Sequence, residues 1–269
     1  MNKLALIYDF DRTLSPKDMQ EFHYISSLGF KDPKDFWNEC SKIVKKNNAD
    51  SILSYMLLML KYNPTLTRSD LINEGKYIKL YKGVDTWFKR INNYGKKHGV
   101  EVEHYIISSG IKEMVEGTKI AKEFNKIYAC SFAYDNNDKV IWPARVVNYT
   151  TKTQYLFRIN KGVLDETNDF DLNRSTPEEE KYIPFSNMVY FGDGMTDVPS
   201  MKVVKNNGGY TVAVYDSASQ KEALALELKK DKRATFAFKA DYSKGSKIEE
   251  AIKGIIESIE AENRLEKLK

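Results

Sequence analysis

The sequence predicts an α/β fold, a doubly wound and mostly parallel sheet that carries an inserted α-helical cap. Three observations lead there. The apolar run at residues 4–8 breaks into Asp9-Phe10-Asp11-Arg12-Thr13-Leu14, and the run at 188–191 breaks into Gly192-Asp193-Gly194-Met195-Thr196-Asp197. Continuous apolar runs of this kind belong to strands buried on both faces. From Val102 onward strand-like and helix-like segments alternate, as in parallel strands joined by crossover helices. Before Val102 lies a helical stretch far longer than the single crossover a parallel pair requires.

After Leu14, helical spacing of apolar residues predicts helices over 18–28, 33–46, 51–62 and 68–80, separated by turn residues at Gly29, Asn47-Asn48 and Asn63-Pro64. One more helix, 85–97, suffices as the crossover. Residues 15–81 are therefore read as a separate helical cap, with 1–14 and 82–269 as the α/β core. Within the core, a strand at 102–107 ends in Ser108-Ser109-Gly110 and precedes a helix over 112–124. A strand at 126–133 and a β excursion over 139–149 follow, with Asn136-Asn137-Asp138 as the turn between them. A helix at 153–160 stops at Gly162, a residue suited to a left-handed helix terminus. Residues 165–181 are polar and acidic and read as an exposed loop with one short helix. Next come the strand at 188, a helix from Val198, a strand at 210–215 entered by a turn at Gly208-Gly209, a helix at 220–230 and a strand at 235–238. A final helix over 247–268 sets Ile248, Ile252, Ile255, Ile256 and Ile259 on one face.

Composition narrows the function classes. At 269 residues, with 42% hydrophobic and 30% charged residues, the chain is globular and long enough for a full core. A net charge of +4, spread along the chain without basic runs interleaved with aromatics, argues against nucleic acid. Cys40 and Cys130 belong to no CxxC pattern and read as buried thiols, and the three histidines lack ligand spacing. Any metal is then held by oxygen, which favours Mg2+. No apolar run is long enough to span a bilayer, and the N-terminus lacks a signal-peptide pattern, so the expected location is the cytoplasm with no membrane partner. The oligomeric state is not legible.

Ligands in open α/β sheets sit beyond the carboxyl ends of the strands. An Asp there is often only a turn former or helix cap. Capping accounts for one acid per helix, however, whereas each of these strand ends supplies two. Four acids at two such ends suit a metal and a phosphoryl group. One carboxylate can attack phosphorus and split the reaction into two steps. A cation draws the anionic nucleophile and the anionic phosphoryl group together. A second carboxylate serves as acid to the leaving oxygen and then as base to water.

These motifs, in this order, resemble the four motifs of the haloacid dehalogenase-like hydrolases. The helical insertion between the first two makes the chain look most like the branch with the phosphoserine phosphatases. The resemblance implies a Rossmann-like core and a Mg2+-dependent phosphatase acting on a small-molecule phosphomonoester through an aspartyl-phosphate. It implies Asp9 as nucleophile and metal ligand, and Asp11 as general acid and base that also offers its backbone carbonyl to the metal. Asp193 would complete the metal site, with Asp197 bound directly or through water. Ser108 and the amides near Ser109 and Gly110 would hold the phosphoryl oxygens, favoured by a helix start. For the lysine of the third motif, Lys152 is preferred to Lys161, because a cation at a helix N-terminus runs against the dipole and so calls for another role.

Asp11 serves as an acid only with a raised pKa, which desolvation beneath the cap supplies. Arg12 either contacts substrate or braces the cap. Asp18 either reads the substrate or caps a helix, and with Arg12 it departs from the serine-phosphate pattern. His23, Tyr24, Phe36, Trp37 and Tyr55 read as cap core sooner than pocket lining. Two other functions use the same site: a phosphomutase that shields the intermediate from water, and a non-catalytic phosphometabolite-binding protein.

Overall fold

The computed structural model describes residues 2–216 and 221–268. Its sheet contains β1 (Asn2–Tyr8), β2 (Val100–Ile111), β3 (Lys126–Tyr134), β4 (Val140–Arg145), β5 (Met188–Gly192), β6 (Tyr210–Tyr215) and β7 (Phe236–Lys239). The order is β4-β3-β2-β1-β5-β6-β7, with only β4 antiparallel to its neighbour. β1 lies in the middle, pairing Leu6 with His104 on one side and with Val189 on the other. The chain moves outward from β1 to β4, then returns to β5 and moves out the opposite way. This reversal opens a crevice at the carboxyl ends of β1 and β5. Residues 4–8 and 188–191 are fully buried, as their uninterrupted apolar character requires.

No strand interrupts the helices α1 (Tyr24–Ser27), α2 (Pro33–Asn47), α3 (Ser51–Tyr62) and α4 (Arg68–Glu74), which lie between β1 and the crossover helix α5 (Val84–Lys97). Side chains cap three of them. Asp32 accepts from the Lys34 amide, Asp50 from Ile52 and Leu53, and Thr67 forms a reciprocal capping box with Asp70. The helix expected over 18–28 is instead a 3-10 turn at Met19–Glu21 followed by α1. Its first residues are drawn elsewhere: the Met19 amide donates to Asp11 and the Asp18 carboxylate accepts from Arg12. The helix expected over 68–80 stops at Glu74, followed by the 3-10 turn Gly75–Tyr77.

The strand expected at 102–107 runs through Ser108-Ser109-Gly110 to Ile111, with irregular register against β3. The helix expected over 112–124 is only α6 (Lys112–Glu116). Its end is fixed by close contact with α4: a Cβ on Gly117 would stand 1.9 Å from the Ile72 carbonyl oxygen.

Beyond the β3–β4 hairpin, α7 (Lys152–Lys161) ends at Gly162 with φ +71°. The polar stretch holds the short α8 (Asp169–Asn173). There the buried Arg158 donates to the carbonyls of Asp165, Glu166 and Asn168 and to the Asp169 carboxylate. α9 (Val198–Asn206), α10 (Lys221–Lys230) and α11 (Lys247–Glu266) complete the chain. The expected start of α10 at Gln220 lies outside the described residues. α5 and α11 pack together against β2, while α7 and α9 pack together against the sheet near β5. Right-handed crossovers running in opposite directions set these pairs on opposite faces. Among the described residues, no helix is long and apolar enough to cross a membrane.

Candidate active site

At the crevice, the Asp9 amide donates to the Phe191 carbonyl at 2.9 Å, so the ladder between β1 and β5 extends to the first acid. Carboxylate oxygens of Asp9, Asp193 and Asp197 converge within 4.8 Å of one another, all on buried residues. Lys152, at the first turn of α7 and 1% exposed, reaches in with Nζ 3.2 Å from Asp9 Oδ1 and 2.8 Å from Asp197 Oδ1. Asp197 Oδ1 also accepts from the Tyr190 hydroxyl at 2.8 Å, and its Oδ2 from the amides of Asp193 and Gly194 at 3.1 and 3.4 Å. Gly192 makes this approach possible, since a Cβ there would lie 2.5 Å from Asp197 Cγ.

Crowding with buried acids raises the proton affinity of Asp9 and Asp193. Burial pushes Asp9 up, Lys152 opposes it, and repulsion from Asp197 and Asp193 adds to it, leaving a pKa of about 7. Asp193 is raised by burial and by Asp197, against the pull of Lys221. Burial disfavours the charge on Lys152, but Asp197 and Asp9 outweigh it and hold the amine firmly protonated. Three carboxylates face two lysines here, which leaves the cluster short of positive charge. An all-oxygen donor set with that deficit fits a hard divalent cation of the Mg2+ type.

The Asp11 carboxylate stands apart from the cluster, with Oδ1 accepting from the Met19 amide at 2.8 Å. It keeps a face open to the cavity yet is enclosed by protein, and this burial, with repulsion from Asp18 and Asp9, raises its pKa well above the usual range. Ser108 is fully buried, and its Oγ accepts from the Gly110 amide at 3.0 Å. Gly110 is thus already engaged, and the Met19 side chain occupies the space where a Cβ would be. Ser109 lines the cavity, and its carbonyl accepts from the Tyr55 hydroxyl at 2.7 Å. Arg12, at φ +58°, donates Nε and Nη2 to the two oxygens of Asp18 at 3.0 and 2.9 Å.

The cavity over these groups has a volume of 530 Å³. It is lined by Asp9, Asp11, Arg12, Asp18, Ser108, Ser109, Lys152 and Asp193 from the sequence-predicted set, whereas Gly110 and the fully buried Asp197 are not part of its wall. Lys161 lies elsewhere, donating to the carbonyls of Leu172 and Arg174. Of the aromatics, Trp37 and Tyr55 line the cavity. Tyr24 and Phe36 are core, and His23 bonds to Glu74 and stacks on Tyr77. Among the lining residues that sequence reasoning missed are Lys221, Gln20 and Lys45. Lys221 opens α10 and forms a short ion pair with Asp193. Its sole signal is topological, a lysine at the start of the helix following the strand beside β5.

Residues 6–202 match the family model described as haloacid dehalogenase-like hydrolase. The chain is 29% identical over 278 residues to an uncharacterized protein of Borreliella burgdorferi (strain ATCC 35210 / DSM 4680 / CIP 102532 / B31), covering 92% of this chain and 94% of that protein. Among solved structures, a HAD family hydrolase from Salmonella enterica subsp. enterica serovar Typhi superposes with a TM-score of 0.58 at 13% identity, over 87% of this chain and 66% of that one. Apo phosphoserine phosphatase superposes with a TM-score of 0.55 at 15% identity, over 88% and 93% of the two chains. At such identities the structural likeness is one of fold. With acids at the ends of β1 and β5, a lysine from α7 between them, and a family match across most of its length, the chain belongs to the haloacid dehalogenase-like hydrolases.

Proposed function

We propose that the protein is a Mg2+-dependent phosphatase, acting in the cytoplasm on a small-molecule phosphomonoester through an aspartyl-phosphate on Asp9. Residues 1–14 and 82–269 form its catalytic core and 15–81 its cap. The observation that carries this reading is Asp9 at the carboxyl end of the central strand, bonded to Lys152 and facing Asp193 and Asp197. The phosphatase fold likeness agrees with it.

Asp9 Oδ1 is held by the Phe10 amide at 2.8 Å and by Lys152, which leaves Oδ2 as the attacking oxygen. Asp9, Asp193, the Asp11 carbonyl and Asp197, directly or through water, would hold Mg2+. When bound, the cation screens the charges of carboxylate and phosphoryl oxygens from each other. Asp197 already accepts four hydrogen bonds, so its further role is to orient Lys152 and the loop at Asp193. Ser108 and the Ser109 backbone bind phosphoryl oxygens. Asp11, protonated in its enclosed position, gives its proton to the leaving oxygen and later takes one from the attacking water.

Phosphate release from a panel of phosphomonoesters, with Mg2+ and with chelator, tests the reading. Mg2+-dependent release that Asp9→Asn abolishes is expected. Transfer of the phosphoryl group to a second metabolite would instead identify a mutase, and ligand binding without turnover a binding protein.

A further inference from the structure

Gln20 follows Met19, the residue whose amide holds Asp11, and it lines the cavity. It is 2% exposed, and its Oε1 has no hydrogen-bond partner. A buried amide oxygen left unpaired is unfavourable, and a ligand that donates to it removes that penalty. Gln20 shares the cavity wall with Asp11, the candidate general acid, and so is placed to read the leaving group.

The charges around it restrict what that donor is. Among the described lining residues outside the acid cluster and Asp11, Asp18 is the only carboxylate, and Arg12 occupies both its oxygens. An ammonium on the leaving group would find no unpaired acid there. Trp37, Val44 and Ile52 supply apolar wall suited to the carbon face of a ligand, with the cation Lys45 beside them. We infer that Gln20 is a specificity-determining residue, accepting a hydrogen bond from a hydroxyl of a polyol or sugar leaving group that carries no amine.

This rests on the phosphatase reading, so the two are tested together but separably. Initial rates are measured for glycerol phosphate and hexose phosphates, their deoxy counterparts, serine phosphate, ethanolamine phosphate, phosphoglycerate and p-nitrophenyl phosphate. The hydroxyl-bearing esters are expected to lead. In Gln20→Met, which keeps the shape and removes the acceptor, their kcat/KM relative to p-nitrophenyl phosphate should fall roughly 5- to 10-fold, mainly through KM. Gln20→Glu, which retains an acceptor, should keep more of the preference than Gln20→Met. The ligand-free Gln20→Met protein should melt roughly 2–4 °C higher than wild type, because an unpaired polar atom has gone.

A ratio that moves less than twofold overturns the inference, as does a preference for the amine-bearing esters. If Gln20→Met does not fold, the wild-type comparison with deoxy esters decides alone, and equal rates overturn it. Turnover of p-nitrophenyl phosphate that Asp9→Asn abolishes keeps the phosphatase reading whatever becomes of Gln20. No turnover of any ester overturns both.

Discussion

Lys152 shows how much one buried side chain carries. Its ammonium contacts two carboxylates in a region nearly closed to water, so removing it leaves acids without their counter-charge. Lys152→Gln is expected to lower turnover by roughly 10²-fold or more and to destabilise the metal-free protein by about 3–5 kcal/mol. Steady-state rates and chemical denaturation in chelator measure the two effects. Lys161→Gln, which removes only donors to carbonyls at the far end of α7, should leave the rate within a few fold of wild type. The choice between these lysines was legible from the helix dipole. The engagement of the Gly110 amide by Ser108, and of Asp18 by Arg12, was not: both depend on side-chain rotamers that no local spacing encodes.

At the scale of elements, the pairing of β1 with β2 contains a pH-sensitive contact. His104 of β2 lies between the Tyr8 hydroxyl at 3.1 Å and Asn92 Oδ1 at 2.8 Å, and burial depresses its pKa to about 3. The unfolded chain, with a histidine near 6.5, therefore binds a proton that the folded one excludes. Stability falls as pH drops below about 6.5 and continues to fall towards about 3, by about 1.4 kcal/mol per unit. From pH 7 to pH 5 this group alone should remove about 2 kcal/mol. Denaturation curves for His104→Gln should show a shallower loss over that interval; an unchanged slope would sink the assignment. The junction of α4 and α6 is a second test. Gly117→Ala drives a Cβ into the Ile72 carbonyl and should cost about 1–3 kcal/mol, read as a lower denaturation midpoint at unchanged slope. The same junction explains two helix ends that periodicity overran, since apolar spacing continues past a residue whose neighbour across the chain forbids another turn.

For the whole molecule, the acid cluster links the two halves of the sheet. Asp9 enters from β1 and Asp193 and Asp197 follow β5, so a cation held among them joins segments far apart in the chain. Saturating Mg2+ should raise the melting temperature of wild type by roughly 5–10 °C, while Asp193→Asn should largely abolish that shift. Scanning calorimetry with Mg2+ and with chelator measures it, and equal shifts in both proteins would place the cation elsewhere.

The sequence by itself determined the strands of the core, the doubly wound α/β class, the four acids and the family, because buried strands and strand-end carboxylates are local patterns that survive in one dimension. Only the tertiary structure decided that Lys221 joins the acids, where α4 and α6 stop, and that the Gln20 amide oxygen stands unpaired. Each of these is settled by groups distant in the chain competing for the same space, charge or hydrogen bond, and that competition has no signature until the chain is folded.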